Sequence, residues 1–157
     1  GLRREAPTSL HRPMTMTPQQ TAEFVRDAMF ANDRASRALG MRILEVTPGH
    51  AVLAMTVRED MVNGHDICHG GLVAVLADSA FAYACNSYNE WTVASGFSID
   101  LLAPSKLGDE LTARCHEVSK TGRAGVYDAE ITDQHGKRVA VFRGRSHTVR
   151  GKPAVAG

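Results

Sequence analysis

A glycine pair that opens an apolar stretch, Gly70-Gly71, and a lone carboxylate inside that stretch, Asp78, carry the chemistry this sequence could do. Asp78 is the only charged side chain between Gly70 and Asn86, a run reading GGLVAVLADSAFAYACN. At helical spacing its neighbours three and four residues away are Ala74, Val75, Phe81 and Ala82, none of which can pair with it. Burying an unpaired charge costs several kcal/mol, so such a residue either has a partner from elsewhere or is kept for chemistry. The plainer alternative is a narrow solvent-facing stripe.

The residues just upstream, Asn63-Gly64-His65-Asp66-Ile67-Cys68-His69, form a polar loop leading straight into the glycine pair. First-turn N–H groups of a helix lack intrahelical partners and point their dipoles at whatever lies beyond the N-terminus. A carbonyl that becomes an oxyanion could therefore use the Gly70 N–H, with Gly71 allowing close approach of a ligand to the backbone. The pair could equally serve only to pack a helix tightly on a sheet. Asp78 lies eight residues beyond Gly70, about 12 Å along a helix axis. One reacting centre cannot touch both, so if both act they come from different subunits. Two antiparallel copies of the helix across a two-fold axis would bring Asp78 of one chain near Gly70 of the other, giving two equivalent sites per dimer. A cross-chain N–H or the Asn63 amide would then favour the ionised carboxylate.

The elements that must position these residues are readable. Thr17-Pro18-Gln19-Gln20 opens a helix with a capping box, expected to run to about Leu39, with Gly40 as its stop and Phe24, Ala28, Ala31 and Ala35 as its buried stripe. Met41 to Thr47 and Ala51 to Val57 flank Pro48-Gly49 as a hairpin. After a polar connection comes the unusual helix, from about Gly70 to Ser87. Four strands follow, near Thr92 to Leu102, Glu110 to Ser119, Gly125 to Asp133 and Arg138 to Thr148, the last three joined by short turns and so an antiparallel meander. A helix apolar on nearly every face suits a sheet wrapped around it. The fold class is thus α+β, one domain over 17–150, with a loose leader over 1–16 and a flexible tail over 151–157.

Charge is nearly balanced, formally +1 with His neutral, and aromatics make up 6%. Neither a nucleic-acid surface nor a membrane patch follows from that, and a small molecule or another protein chain is the expected partner. No apolar run is long enough to span a bilayer. Cys68, Cys85 and Cys115 have no framework spacing and an odd count, which fits reduced thiols in a cytoplasmic protein.

Asn63-Gly64-His65, then Cys68-His69-Gly70-Gly71, then Leu76 through Ser87 resemble the PaaI-type, phenylacetate-degradation branch of the hotdog-fold acyl-CoA thioesterases. The resemblance covers about residues 20 to 150, including Ser98 to Pro104, Gly125 to Asp128 and Val141 to His147. It implies a hotdog fold, hydrolysis of acyl-CoA to a free acid and CoA without a cofactor, and a homotetramer built as a dimer of dimers. The family's helix Asp, base or nucleophile, falls on Asp78. Its His-Gly-Gly motif falls on His69, Gly70 and Gly71, and its loop Asn, which positions water or the thioester, on Asn63. Ser95 is the match to a hydroxyl residue that assists in some relatives. The acyl group expected from this branch is arylacetyl or hydroxylated phenylacetyl.

Other residues gain meaning beside a thioester. Lys106, Lys120, Arg123, Arg143 and Arg145 are candidates for the phosphates of CoA, although each alone is an ordinary surface charge. Tyr83, Asn86, Tyr88 and Trp91 are candidates for an acyl pocket, with a core role open for Tyr83. His65, Asp66, Cys68 and His69 lie before the helix rather than along one face of it, which argues against a metal site, and no metal is expected. Cys68 as nucleophile beside His69 is disfavoured because adjacent side chains diverge. A hotdog enoyl-CoA hydratase or dehydratase using His69 and Asp78, and a non-catalytic acyl-CoA binding protein, are the alternatives.

Overall fold

The computed structural model describes residues 16–155, so the expected leader lies, but for Met16, outside the described residues. The element order is α1 (Pro18–Asn32), α2 (Arg34–Ala38), β1 (Arg42–Thr47), β2 (His50–Thr56), a short 3-10 turn (Glu59–Met61), α3 (Gly70–Cys85), β3 (Thr92–Leu101), β4 (Glu110–Thr121), β5 (Ala124–Thr132) and β6 (Arg138–Thr148). Six strands form one sheet in the order β1-β2-β4-β5-β6-β3, with every neighbouring pair antiparallel.

The capping box at Thr17 forms in both directions, and Gly40 ends the helical segment at φ +70°. The single helix expected from Pro18 to Leu39 is broken, however. Asp33 leaves helical geometry (φ −83°, ψ 84°), closes α1 and caps α2. Asn32-Asp33 is a pair whose short polar side chains compete for backbone groups, so a break there follows from their chemistry. The buried stripe is corrected too. Ala22, Val25 and Ser36 are buried, Phe24 and Ala28 only in part, and Ala31 and Ala35 are exposed. The segment read as a tail is tied down at Lys152, whose carbonyl accepts the Trp91 N–H (2.9 Å), and at Val155, whose N–H donates to Asn89 Oδ1 (3.2 Å).

The core lies between α3 and the inner face of the sheet. Leu76, Ala77, Ala80, Phe81 and Ala84 of α3 meet Leu53 and Met55 of β2, Leu111 and Cys115 of β4, Tyr127 and Ile131 of β5, and Ala140 and Phe142 of β6. The Phe81 ring packs tilted against Tyr127 (5.5 Å between centroids) and Phe142 (5.8 Å). It also lies directly on Gly144, where an added Cβ would sit 2.9 Å from Phe81 Cζ. Gly144→Ala is therefore expected to destabilise the fold by about 1–3 kcal/mol, because a rigid ring in a packed core cannot move aside cheaply. A thermal melt, at about 2–4 °C per kcal/mol for a chain of this size, reads it.

Candidate active site

α3 is preceded by His69 at its N-cap, whose carbonyl accepts the Leu72 N–H (3.0 Å) and Val73 N–H (3.4 Å). The N–H groups of Gly70 and Gly71 donate to no protein acceptor among the described residues. The Leu101 side chain at the end of β3 lies on Gly70 so closely that a Cβ there would be 2.4 Å from Leu101 Cδ1, whereas Gly71 faces open space. Two amides without a partner among the described residues thus sit at the start of the apolar helix.

Asp78 is half-buried and makes no hydrogen bond or ion pair among the described residues. Its carboxyl is pushed above the usual carboxylate range, first by burial and then by the nearby negative charge of Asp33. The faces of α3 are unequal. Val73, Leu76, Ala77, Ala80, Phe81 and Ala84 are buried, while Gly71, Ala74, Val75, Asp78 and Ala82 form a stripe that stays partly open. The expectation of a helix covered on all sides is thus corrected for a single chain. Beside this stripe lies β3, an edge strand that among the described residues pairs only with β6. Its inward residues Phe97 and Leu101 are 44% and 54% exposed, unusual for large apolar side chains on a core-facing surface.

The loop before α3 is ordered by Asn63. Its Oδ1 accepts the N–H groups of His65 (2.9 Å) and Ile67 (3.2 Å), and its own N–H donates to the Ile67 carbonyl (2.9 Å). Its Nδ2 has no partner among the described residues, so the amide can still donate outward. The exposed His69 side chain makes no cap hydrogen bond. Cys68 is buried, and burial pushes its thiol up, which disfavours the thiolate a nucleophile would need. Among the described residues no group of three His, Cys, Asp or Glu is arranged to hold a metal ion.

Ser105 carries no signal in the sequence. Together with Ile67, Cys68, Gly70, Val73 and Leu101 to Pro104 it lines a groove of about 210 Å³ at the start of α3. Its Oγ is the one buried side-chain polar atom without a partner among the described residues. No local pattern marks it, because its burial depends on the 101–109 loop folding back on Cys68, whose N–H donates to the Ser105 carbonyl (2.8 Å).

The other expected residues are dispersed. Ser95 sits in the bulge between Ala94 and Gly96, its Oγ donating to the Arg145 carbonyl (3.1 Å). Tyr83 is 1% exposed; its hydroxyl donates to Asp33 Oδ2 (3.0 Å) and its ring tilts against Phe30, so it belongs to the core of this chain. Arg143 is held by Asp128 through two hydrogen bonds (2.7 and 2.8 Å) on the outer face of the sheet. It lines an open cleft of about 460 Å³ there with Arg114, His116 and Arg138. That cleft is larger than the groove at Gly70, but it is on the side of the sheet away from α3, and Arg138 and Arg143 are already paired with carboxylates. Arg123, Arg145 and Lys106 have no carboxylate partner within ion-pair distance among the described residues. Lys106 lies at the Gly70 end, bridged to Ile67, while Arg123 lies at the opposite end, where its carbonyl accepts the Thr148 N–H (2.8 Å). The length of β3, about 30 Å, separates the two ends.

The Thioesterase superfamily model matches residues 65–140. The acyl-coenzyme A thioesterase PaaI of Escherichia coli K12 is 49% identical over 124 residues, covering 79% of this chain and 89% of that protein. A solved structure of the E. coli PaaI protein, from the phenylacetic acid degradation operon, superposes with a TM-score of 0.84 at 46% identity, covering 87% of this chain and 99% of that one. A hypothetical thioesterase of Streptococcus pneumoniae, solved with coenzyme A, superposes at TM-score 0.72 and 26% identity, covering 80% and 96% of the two chains.

Proposed function

Because the chain belongs to the thioesterase superfamily, with the hotdog fold of the PaaI-type acyl-CoA thioesterases, we propose that it hydrolyses an acyl-CoA thioester to a free acid and CoA with Asp78 as the reacting carboxylate. The observation that carries this reading is the position of Asp78: half-buried, without a partner among the described residues, and on a face of α3 that those residues leave partly open. Thioesters are already electrophilic, so a placed carboxylate and a preorganised oxyanion donor suffice. A carboxylate raised by burial is a stronger base, which suits the abstraction of a proton from water.

The site takes two chains. The open stripe of α3, the unpaired edge of β3 and the exposed Phe97 and Leu101 support a second copy docking across a two-fold axis, β3 against β3. Gly70 of the second copy then offers its N–H to the carbonyl oxygen, and Asn63 beside it donates through Nδ2 to water or thioester. The same symmetry operation brings Arg123 and Arg145 of one chain toward Lys106 of the other. Arg123 and Lys106, about 30 Å apart within one chain, and Arg145, opposite Gly96 near the middle of β3, can in this way hold the phosphates of one CoA. Arg143, spent on Asp128, is left out of that role. A tetramer of two such dimers and a reducing compartment, consistent with the unpaired Cys68, Cys85 and Cys115, complete the proposal.

A panel of aryl and aliphatic acyl-CoA thioesters, followed by free thiol release, tests the reaction. Turnover on arylacetyl thioesters is the expected result, since the E. coli relative comes from a phenylacetic acid degradation operon. Hydration of enoyl-CoA without thiol release would overturn it in favour of a hydratase, and binding without any turnover in favour of a carrier. Single-turnover hydrolysis in oxygen-18 water tests for a nucleophile, because attack by Asp78 expels CoA to give an acyl–Asp78 anhydride, and water attacking its Asp78 carbonyl leaves Asp78's own oxygen in the first acid released.

A further inference from the structure

We infer that Asp33, at the break between α1 and α2, is a positioning residue that adds a fixed negative charge to the surroundings of Asp78 from outside the helix that carries it. The inference rests on the reading of Asp78 as the reacting carboxylate. Asp33 Oδ1 accepts the Ser36 N–H (3.1 Å) and Oδ2 accepts the Tyr83 hydroxyl (3.0 Å). Ser36 Oγ in turn pairs with Ser79 Oγ at 2.9 Å, both side chains buried. The helix break is therefore fastened to α3 at Ser79, immediately after Asp78, and at Tyr83, a little over one turn further on. These contacts fix where the Asp33 carboxylate sits, and no cation pairs with it among the described residues.

Among the described residues no other group offers Asp78 a comparable charge. Its own helix contributes the buried Cys85 thiol, which burial pushes up to about 12. The strands packed beneath contribute Cys115 and the phenol of Tyr127, both pushed upward by burial, and apolar side chains. Lys120 stacks on the Tyr88 ring (3.9 Å) and faces Glu90. In the two-chain arrangement the exposed His69 of the second copy would also face Asp78. Asp33 thus supplies the fixed negative charge that, after burial, raises the Asp78 carboxyl. A like charge held close makes a carboxylate a stronger base and moves its protonation toward working pH.

Asp33→Asn removes the charge while keeping a side chain that caps a helix as well as Asp does. The pH dependence of kcat/KM, measured for wild type and Asp33→Asn, reads the effect. The acid limb, set by ionisation of Asp78, is expected at lower pH in Asp33→Asn, and Asp33→Glu, which restores the charge, is expected to return it toward wild type. Asp33→Ser, a second uncharged cap, keeps the test available if the Asn variant fails to fold. An acid limb that stays in place in both uncharged variants, with or without a uniform loss of rate, overturns the inference and leaves Asp33 a structural cap. Full turnover in Asp78→Asn would instead overturn the reading beneath, and the inference with it.

Discussion

Asp78→Asn is expected to lower kcat by about 10³-fold, within the range that a positioned base or nucleophile contributes, while raising the melting temperature. The two effects have one cause. Asn is nearly the same size as Asp but can neither take a proton from water nor attack a carbonyl. The side chain it replaces has no hydrogen bond or ion pair among the described residues, so nothing is broken by the exchange. The charge that is removed was half-buried and beside Asp33, which is why the carboxyl is held above its usual range. A carboxyl raised in the folded state contributes stability at acid pH and loses it as pH rises through the folded value. The stability gained by Asp78→Asn is therefore absent in strong acid, grows across the interval between the ordinary carboxylate value and the raised one, and is largest at neutral pH. Melts of the two proteins at acid and neutral pH, beside thiol-release rates, check both signs. A residue that lowers stability and is indispensable to turnover is the pattern of a functional site. An activity loss accompanied by a lower melting temperature would point to a structural role instead.

Gly70→Pro should cost about 10²–10³ in kcat, the range for deletion of one oxyanion donor, while Gly70→Ala should cost much less. Gly70 is the first residue of α3, a position where proline's fixed φ fits and its missing N–H leaves no helical hydrogen bond unmade. His69, at φ −57° and ψ 133°, already has the extended backbone that a residue before proline adopts. Either substitution brings a Cβ against Leu101 Cδ1, the mobile end of an exposed side chain, so the alanine variant carries the steric change alone. The ratio of the two rates removes the Cβ contact and reads the loss of the N–H together with the ring carbons that take its place. Equal losses would mean that Gly70 serves only to let Leu101 approach the helix.

Much of this was legible in the chain because local chemistry decided it. The capping box at Thr17, the Pro48-Gly49 hairpin and the strand boundaries were set by neighbours a few residues apart, and they fall where expected. Asp78 stood out for the same reason, since its helical neighbours are all apolar. The break at Asp33 was missed because Asn32-Asp33 lies inside a window whose alanines suggest one continuous helix. The bonds from Asp33 to Tyr83 and from Ser36 to Ser79, 50 and 43 residues apart, reinforce the break that Asn32-Asp33 favours locally. The orphan hydroxyl of Ser105 and the pairing of Arg143 with Asp128 likewise depend on loop closure and on the register that sets Asp128 opposite Arg143. The open stripe on α3 is set by the packing of the whole sheet, since the chain alone reads as a helix covered on every face, whereas the separation of about 12 Å between Asp78 and Gly70 follows from the helical rise.

Mixing the two inactive variants tests the two-chain site most directly. In a dimer of one Asp78→Asn chain and one Gly70→Pro chain, one site combines both lesions and the other combines the intact Asp78 with the intact Gly70. With equal amounts, denatured together and refolded, half the dimers are mixed and each regains one of two sites, so activity should recover to about a quarter of wild type. Activity no higher than that of the separate variants, with mixed dimers shown to have formed, would place Asp78 and Gly70 in independent roles and contradict a site shared between chains.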